Sequence, residues 1–163
     1  MGTIKVLGID PGLADTGIGL LRGRGDVIEA YSFGCIRTDK KDSLAGRLDH
    51  IFSRLVSLLE AEHPDLVVVE DVFSLPAYPA SGINLGQVTG IILLAAFRAG
   101  IPVRRVSVRE AKQVMTGSGN AGKQQLAAAV QRLLQHDEPI RPDHASDALA
   151  LAITGLFRYD RIS

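Results

Sequence analysis

Residues 5–12 read KVLGIDPG, an apolar run that ends in one carboxylate, Asp10, followed by Pro11 and Gly12. A continuous apolar run of this length predicts a strand buried on both faces, at the centre of a sheet covered by helices. Pro11 cannot donate a ladder hydrogen bond and Gly12 tolerates unusual dihedral angles, so the strand should end there. Asp10 is therefore predicted at the rim of the sheet, where open α/β sheets bind ligands. An Asp in this position can also start a turn by bonding to its own backbone.

A second apolar run, LVVVED at residues 66–71, repeats the opening pattern. A helix predicted over residues 43–62 separates the two runs, and such a connection makes the two strands parallel neighbours. Glu70 is then expected at the same rim as Asp10. Two carboxylates at one edge repel each other, which raises a pKa or recruits a cation. Together the two runs favour a metal site over a turn-forming Asp10.

The remaining patterns predict an α/β fold with a five-stranded mixed sheet, an antiparallel meander plus parallel strands, flanked by helices. Strands besides the two acidic runs are predicted at residues 16–21, 27–36 and 103–106, the last at an edge of the sheet. Helices besides the first are predicted at residues 83–99, 123–135 and 143–157.

Composition sets bounds on the class of protein. The chain has 163 residues, which favours a single domain over residues 1–163, and its 46% hydrophobic content is enough for a core. A net charge of zero neither indicates nor excludes a nucleic-acid binder. Cys35 is the only cysteine, so disulfide frameworks and cysteine-based zinc sites are excluded, as expected in a reducing cytosol. No apolar run is long enough for a bilayer, so we expect a cytoplasmic protein with no membrane partner.

Basic residues concentrate in one segment of this neutral chain. Between residues 98 and 123, one acid, Glu110, stands against Arg98, Arg104, Arg105, Arg109, Lys112 and Lys123. Residues 116–123, TGSGNAGK, form a glycine-rich loop before a helix, but Gln124 stands where a nucleotide-binding loop needs Ser or Thr. We therefore predict that backbone amides of this loop and Lys123 contact nucleic-acid phosphates. A solvated charged face is the alternative.

The last helix adds a third group of chemically active side chains. Asp143 follows a proline and is predicted as its N-cap, while His144 and Asp147 are three apart and share one face. A capping acid with a dipole-stabilised Asp147 would explain these residues structurally. Beside Asp10 and Glu70, however, they complete a cluster of four. Such a cluster suits a two-cation site that clamps the attacking and leaving oxygens of a phosphodiester, and its imidazole favours manganese relative to magnesium.

Seven short segments carry a resemblance to a known family: GIDPG (8–12), TG (16–17), GCIRT (34–38), EDVF (70–73), LGQ (85–87), KQ (112–113) and DALA (147–150). In this order, over essentially the whole chain, they resemble the RuvC family of Holliday-junction resolvases. The resemblance implies a ribonuclease-H-like fold and a homodimer that nicks two opposing strands of a four-way DNA junction symmetrically, in homologous recombination and repair. It also implies two Mg²⁺ or Mn²⁺ ions per active site and partnership with the RuvA–RuvB branch-migration complex.

The resemblance also assigns residues to roles. It implies that Asp10, Glu70 and Asp147 are catalytic metal ligands. His144 falls at the fourth ligand position, where many members carry Asp, and neighbouring Asp143 is the alternative. Further along the chain, the resemblance implies that Phe73 lies against the junction's bases and that Lys112 and Lys123 lie near the scissile phosphate. We add Arg109, from the basic segment, as a DNA-binding residue.

Three other functions compete with a junction resolvase. A ribonuclease-H-like nuclease could act on structured RNA, and a catalytically silent module could bind junctions without cutting them. A sugar-kinase or actin-like ATPase also has a first strand that ends in Asp and a glycine turn. Such ATPases need two domains around the nucleotide, and this chain has room for one. Gly86 and Gly90, four apart on one predicted helix, fit either intrachain packing or a dimer contact.

Overall fold

The computed structural model of the chain describes residues 2–71 and 79–159, with side chains omitted at residues 79–81 and 159. The predicted base-contacting residue Phe73 lies outside the described residues. Residues 74–78, in the proline-containing segment 74–84 that lacks a basic residue, also lie outside the described residues.

Five strands form one mixed sheet in the described residues. Their bounds are β1 Ile4–Asp10, β2 Asp15–Arg24, β3 Val27–Arg37, β4 Leu66–Glu70 and β5 Val103–Val106. The spatial order is β3-β2-β1-β4-β5, with β1–β2 and β2–β3 antiparallel and β1–β4 and β4–β5 parallel. The predicted meander, the central position of the first strand and the edge position of the last strand are confirmed.

Over residues 2–71 and 79–159, five helices flank the sheet. Their bounds are α1 Leu44–Glu62, α2 Pro79–Arg98, α3 Val108–Thr116, α4 Lys123–Leu133 and α5 Asp143–Tyr159. Helix α2 begins four residues before the predicted start, and α3 was not predicted. A signal for α3 was present, because Ser107 caps it by accepting a hydrogen bond from the Glu110 N–H at 3.1 Å. Within the described ranges, no helix has both the length and the hydropathy required to cross a membrane.

The central strands separate two hydrophobic clusters. Leu7 and Val67 belong to the cluster on one face, together with the buried residues of α1 and α2. Val6 and Val68 belong to the other, where α5 packs with α3 and α4. Because successive side chains in a strand point to opposite faces, this alternation shows why β1 and β4 are apolar at nearly every position.

Helix α5 lies directly on the backbone of β1 and β2, at positions where the strands have no side chain. A Cβ atom on Gly8 would overlap the carbonyl oxygen of Ala148, and one on Gly17 would overlap the carbonyl oxygen of His144. A Cβ on Gly19 would lie 2.6 Å from the backbone nitrogen of Leu149. Glycine is therefore required at these strand positions for the helix to approach so closely.

Replacing Gly17 with Ala should destabilise the protein, because the atom in the way belongs to the α5 backbone and cannot rotate aside. We expect a loss of roughly 1–3 kcal/mol in the free energy of unfolding, as for other overpacked cores. Gly34→Ala is the matched control, since a Cβ on that strand residue meets no atom of the described residues within 4 Å. Urea unfolding of the two variants measures the difference, and equal stabilities would show that α5 can move without loss.

Candidate active site

Two carboxylates lie at the same rim of the sheet, as predicted. Asp10 is the last residue of β1 and Glu70 is the last residue of β4. The two strands are parallel neighbours with Ile9 opposite Val69, so the next residue of each strand ends at the same edge. Asp10 is only 6% exposed, and its burial makes the carboxylate expensive unless a donor or cation compensates it.

The first turn of α5 brings two more groups to Asp10. His144 Nδ1 donates a hydrogen bond to Asp10 Oδ2 at 2.8 Å. Potential ligand atoms of Asp10, His144 and Asp147 all lie within 4.8 Å of one another, close enough for one ion to contact all three. Strand register explains the juxtaposition, because Asp10 pairs with Gly17, over which the His144 backbone lies.

Two acids of the site, Glu70 and Asp147, have pKa values above their ordinary range. Burial, hydrogen bonding with Asp10 and repulsion from Asp10 and Asp147 raise the pKa of Glu70 from 4.5 to about 8. Burial and repulsion from Asp10 raise the pKa of Asp147 to about 6. The hydrogen bond to Asp10 raises the pKa of His144 as well. Nearby negative charge contributes to all three pKa shifts, while burial is the largest cause for the two acids and opposes the shift of His144.

A cavity of about 210 Å³ contains this rim. Asp10, Glu70 and Asp147 line it together with Lys112 from α3 and Lys123 from α4. Its apolar wall comes from Val108, Ala111, Leu126, Ala150 and Leu151. Lys123 Nζ lies 4.0 Å from Asp147 Oδ2. The cavity thus combines acids, suited to cations, with two ammonium groups, suited to an anionic substrate such as a phosphodiester.

Two further predicted site residues, Asp143 and Arg109, lie outside this cluster and its cavity. The Asp143 carboxylate is largely exposed and accepts a hydrogen bond from Arg141 Nη1 at 2.8 Å. Asp143 was predicted as the N-cap of α5, but it is the first residue of the helix. The preceding residue, Pro142, holds the N-cap position, and its carbonyl accepts a hydrogen bond from the Ala145 N–H at 2.9 Å. Arg109 is exposed on α3 and does not line the cavity. His144 therefore lies beside Asp10 and Asp147, whereas Asp143 pairs with Arg141.

The prediction that loop amides bind phosphate is wrong for most of the glycine-rich loop, because their N–H groups are already bonded. Ser118 N–H donates to Thr116 Oγ1 at 3.2 Å and Gly119 N–H donates to Gln113 Oε1 at 3.1 Å. Gly122 N–H donates to Gln125 Oε1 at 2.7 Å. Side chains from the loop and its flanking helices occupy the donors that a phosphate would need.

His136 contacts two aromatic residues of β3. The Tyr31 hydroxyl and His136 Nδ1 are hydrogen-bonded at 2.6 Å, and the His136 ring meets Phe33 edge-on with centroids 5.4 Å apart. These contacts tie β3 to the segment before α5. Nothing in the spacing of these residues along the chain signals their pairing, since more than a hundred residues separate them.

Comparisons with known proteins give a consistent result. A family model described as "Crossover junction endodeoxyribonuclease RuvC" matches residues 6–155. A protein of that name from Salinispora arenicola is 43% identical over 95% of this chain and 89% of its own length. Another from Syntrophomonas wolfei is 40% identical over 96% of this chain and 90% of its own length.

Solved structures agree with the sequence relatives. Thermus thermophilus RuvC in complex with a Holliday junction substrate matches with a TM-score of 0.87 and 32% identity, over 94% of this chain and 93% of that one. The yeast mitochondrial Holliday junction resolvase Ydc2 matches with a TM-score of 0.63 over 95% of this chain and 78% of its own. At 12% identity the second match shows a shared fold.

The raised pKa of Glu70 predicts how stability changes with pH in chelator-containing buffer. The folded protein keeps a proton on Glu70 that the unfolded chain releases above its ordinary pKa of 4.5. Raising the pH from 4.5 to about 8 should therefore lower the free energy of unfolding, and protonated Asp147 and His144 act with the same sign. Glu70→Gln should flatten this decline, as measured by urea unfolding at several pH values. Parallel curves for the two proteins would contradict the assignment.

Proposed function

Because the chain belongs to the RuvC family of crossover junction endodeoxyribonucleases, we propose that it resolves Holliday junctions by nicking two opposing strands of a four-way DNA junction. The observation that carries the proposal is the cluster of Asp10, His144 and Asp147 at the rim of a fold shared with junction-bound RuvC. On family membership alone, we extend the proposal to partnership with the RuvA–RuvB branch-migration complex.

We propose that Asp10, Glu70, His144 and Asp147 hold two divalent ions, Mg²⁺ or Mn²⁺. The donor set fits, because three carboxylates and an imidazole supply the oxygen and nitrogen ligands that manganese accepts and oxygens that magnesium prefers. The raised pKa values of Glu70 and Asp147 support the same assignment, since bound cations would compensate the charge that raises them. Divalent ions there supply Lewis-acid stabilisation of the charge that develops at a phosphodiester.

The chain's own residues have distinct parts in this proposal. Asp10 lies at the centre, bonded to His144 and next to Glu70, so it is the carboxylate best placed to serve both ions. Lys112 and Lys123 line the same cavity from two different helices and would attract and orient the phosphate being cut. The apolar wall limits water around these charges, which strengthens their interactions with substrate.

This arrangement favours a nuclease over a silent DNA-binding module. A protein that only binds phosphates gains from cations along its surface, and acids at the contact point weaken its binding. Here three acids line the cavity that also holds Lys112 and Lys123. Such a mixture is useful when metal ions neutralise the acids and cleavage follows binding.

We further propose that the protein acts as a homodimer through α2. Helix α2 presents Ile83, Leu94 and Phe97 with exposures of 63%, 46% and 83%. Gly86 and Gly90 lie on the same stripe, and a Cβ at either one would meet no atom within 4 Å in the part of the chain that the structure describes. The opposite side of α2 is buried in the core through Val88, Ile92, Ala95 and Ala96. An apolar stripe with glycines lets a second copy approach closely, and a twofold protein suits a twofold junction.

Cleavage of a synthetic four-way junction tests the function and the ligand set. We expect symmetric paired nicks from the wild type in Mg²⁺ or Mn²⁺, and a loss of about a hundredfold or more in Asp10→Asn and His144→Ala, because each removes a ligand. Asp143→Ala is the matched control. Its exposed carboxylate contacts Arg141, so the variant should keep wild-type activity.

Each other outcome of the cleavage assay has a defined meaning. An inactive Asp143→Ala beside an active His144→Ala, both folded by circular dichroism, would move the fourth ligand by one residue. If the wild type cuts structured RNA and leaves the DNA junction intact in both metals, the junction assignment is wrong and the RNA nuclease takes its place.

Phe97→Glu should convert the dimer into a monomer, because it places a charge in the most exposed part of the α2 stripe. Analytical ultracentrifugation of the wild type and the variant measures the change. Val27→Glu is the matched control, since Val27 is an apolar residue 58% exposed on β3, away from α2. A dimer that survives Phe97→Glu, or a wild type that is monomeric at micromolar concentration, would contradict this interface.

A further inference from the structure

The loop at residues 117–122 joins two helices that each bring a lysine to the active-site cavity. Lys112 lies on α3 before the loop and Lys123 is the first residue of α4 after it. Its length and shape therefore set where one ammonium group lies relative to the other. The loop contains three glycines, Gly117, Gly119 and Gly122, so its backbone has many accessible conformations unless other groups restrain it.

Gln113 restrains the loop through three hydrogen bonds. Its backbone carbonyl accepts from the Gly117 N–H at 3.0 Å, as part of the C-cap of α3. Its side-chain Nε2 donates to the Gly117 carbonyl at 2.9 Å, and its Oε1 accepts from the Gly119 N–H at 3.1 Å. Both ends of one amide are thus bonded to loop backbone, which fixes the first turn of the loop on the end of α3.

Other contacts complete the restraint. Thr116 Oγ1 donates to the Lys112 carbonyl at 2.7 Å. The side chain of Arg109 lies against Gly119, where an added Cβ would come within 2.8 Å of its Cγ atom. At the far end, Gln125 holds Gly122 through the 2.7 Å hydrogen bond described above. The loop is therefore held by side chains at both ends, and Gln113 supplies the hydrogen bond that joins α3 to Gly119.

We propose that Gln113 is a positioning residue for DNA cleavage, which fixes the 117–122 loop and through it the place of Lys123 beside Asp147. Gln113 is exposed and absent from the cavity lining, so it acts through the loop and not on the reacting atoms. Lys123 Nζ lies 4.0 Å from Asp147 Oδ2, a separation that changes readily if α4 shifts along its axis. The inference rests on the proposed function, because it assigns Lys123 to the phosphate in the cavity.

The test substitutes Gln113 with Met, which keeps an unbranched, helix-compatible side chain and removes both amide hydrogen bonds. We expect the single-turnover rate of junction cleavage to fall roughly tenfold, within the range that small misplacements of reacting groups cause. Hydrogen exchange at the Gly119 amide should become faster, since its acceptor is removed. This second measurement reports on the loop whether or not the protein cleaves DNA.

Gln131→Met is the matched control. Gln131 also uses its amide to hold a loop backbone, donating to the His136 carbonyl at 3.1 Å, but it does so near the other end of α4. It should lose a comparable hydrogen bond while cleavage stays within about twofold of wild type. Equal losses of cleavage in the two variants would reduce Gln113 to a general structural residue and overturn the proposal.

A double-mutant cycle tests the route of action. If Gln113 acts by placing Lys123, then Gln113→Met should cost nothing further, within about twofold, in a Lys123→Ala background. Multiplying losses would show that Gln113 acts independently of Lys123 and would overturn the proposal, as would unchanged exchange at Gly119. A wild type that fails to cleave any four-way junction would refute the proposed function instead, and the exchange experiment would still decide whether Gln113 restrains the loop.

Discussion

Backbone-to-backbone contact between α5 and strands β1 and β2 is the constraint on which the active-site geometry depends. At Gly8, Gly17 and Gly19 the strands have no Cβ, and the helix occupies that space. Gly17 is the register partner of Asp10, so the helix contacts the sheet next to the Asp10 carboxylate. A helix held away by ordinary side chains would carry His144 beyond the 2.8 Å hydrogen bond to Asp10. These three glycines thus determine the distance between His144 and Asp10 in the site.

The charges gathered there work against folding. Glu70 lies where two carboxylates repel it and where burial opposes its ionisation. His144 offsets part of the negative charge through Asp10, and Lys123 offsets part of it through Asp147. Replacing the acids with apolar side chains would relieve the repulsion and raise the stability of the fold, but it would also weaken cation binding. We therefore infer that these acids serve cation binding at a cost to the stability of the fold.

The sequence predicted the acidic half of the site better than the basic half, for a physical reason. Asp10 and Glu70 end apolar runs, and parallel strands bring such ends to one edge whatever surrounds them. His144 and Asp147 followed from helical spacing, which depends only on local geometry. The prediction for the loop amides depended on whether a phosphate or a nearby side chain accepts their hydrogen bonds. No periodic pattern reveals that Gln113 accepts the hydrogen bond of the Gly119 N–H.

Other features that sequence patterns failed to predict have a similar origin. The bond between Tyr31 and His136 joins residues far apart in the chain, and α3 is a nine-residue helix too short for its periodicity to stand out. The pairing of Asp143 with Arg141 depends on side-chain conformations that the spacing leaves open. Most strands and helices, and the residues at their ends, were therefore accessible to prediction, whereas these side-chain pairings required coordinates.

The proposed dimer contact and the cavity occupy different parts of the fold, and this separation matters for a twofold substrate. Helix α2 packs with α1 on one face of the sheet, while α3, α4 and α5 surround the cavity at the rim and on the other face. The α2 stripe contains none of the described cavity-lining residues. In the proposed dimer each protomer would keep its own cavity, and the twofold axis would present the two cavities equivalently to two DNA strands of like sequence. Paired nicking then requires no difference between the protomers, because symmetry supplies the second cut wherever the first is possible.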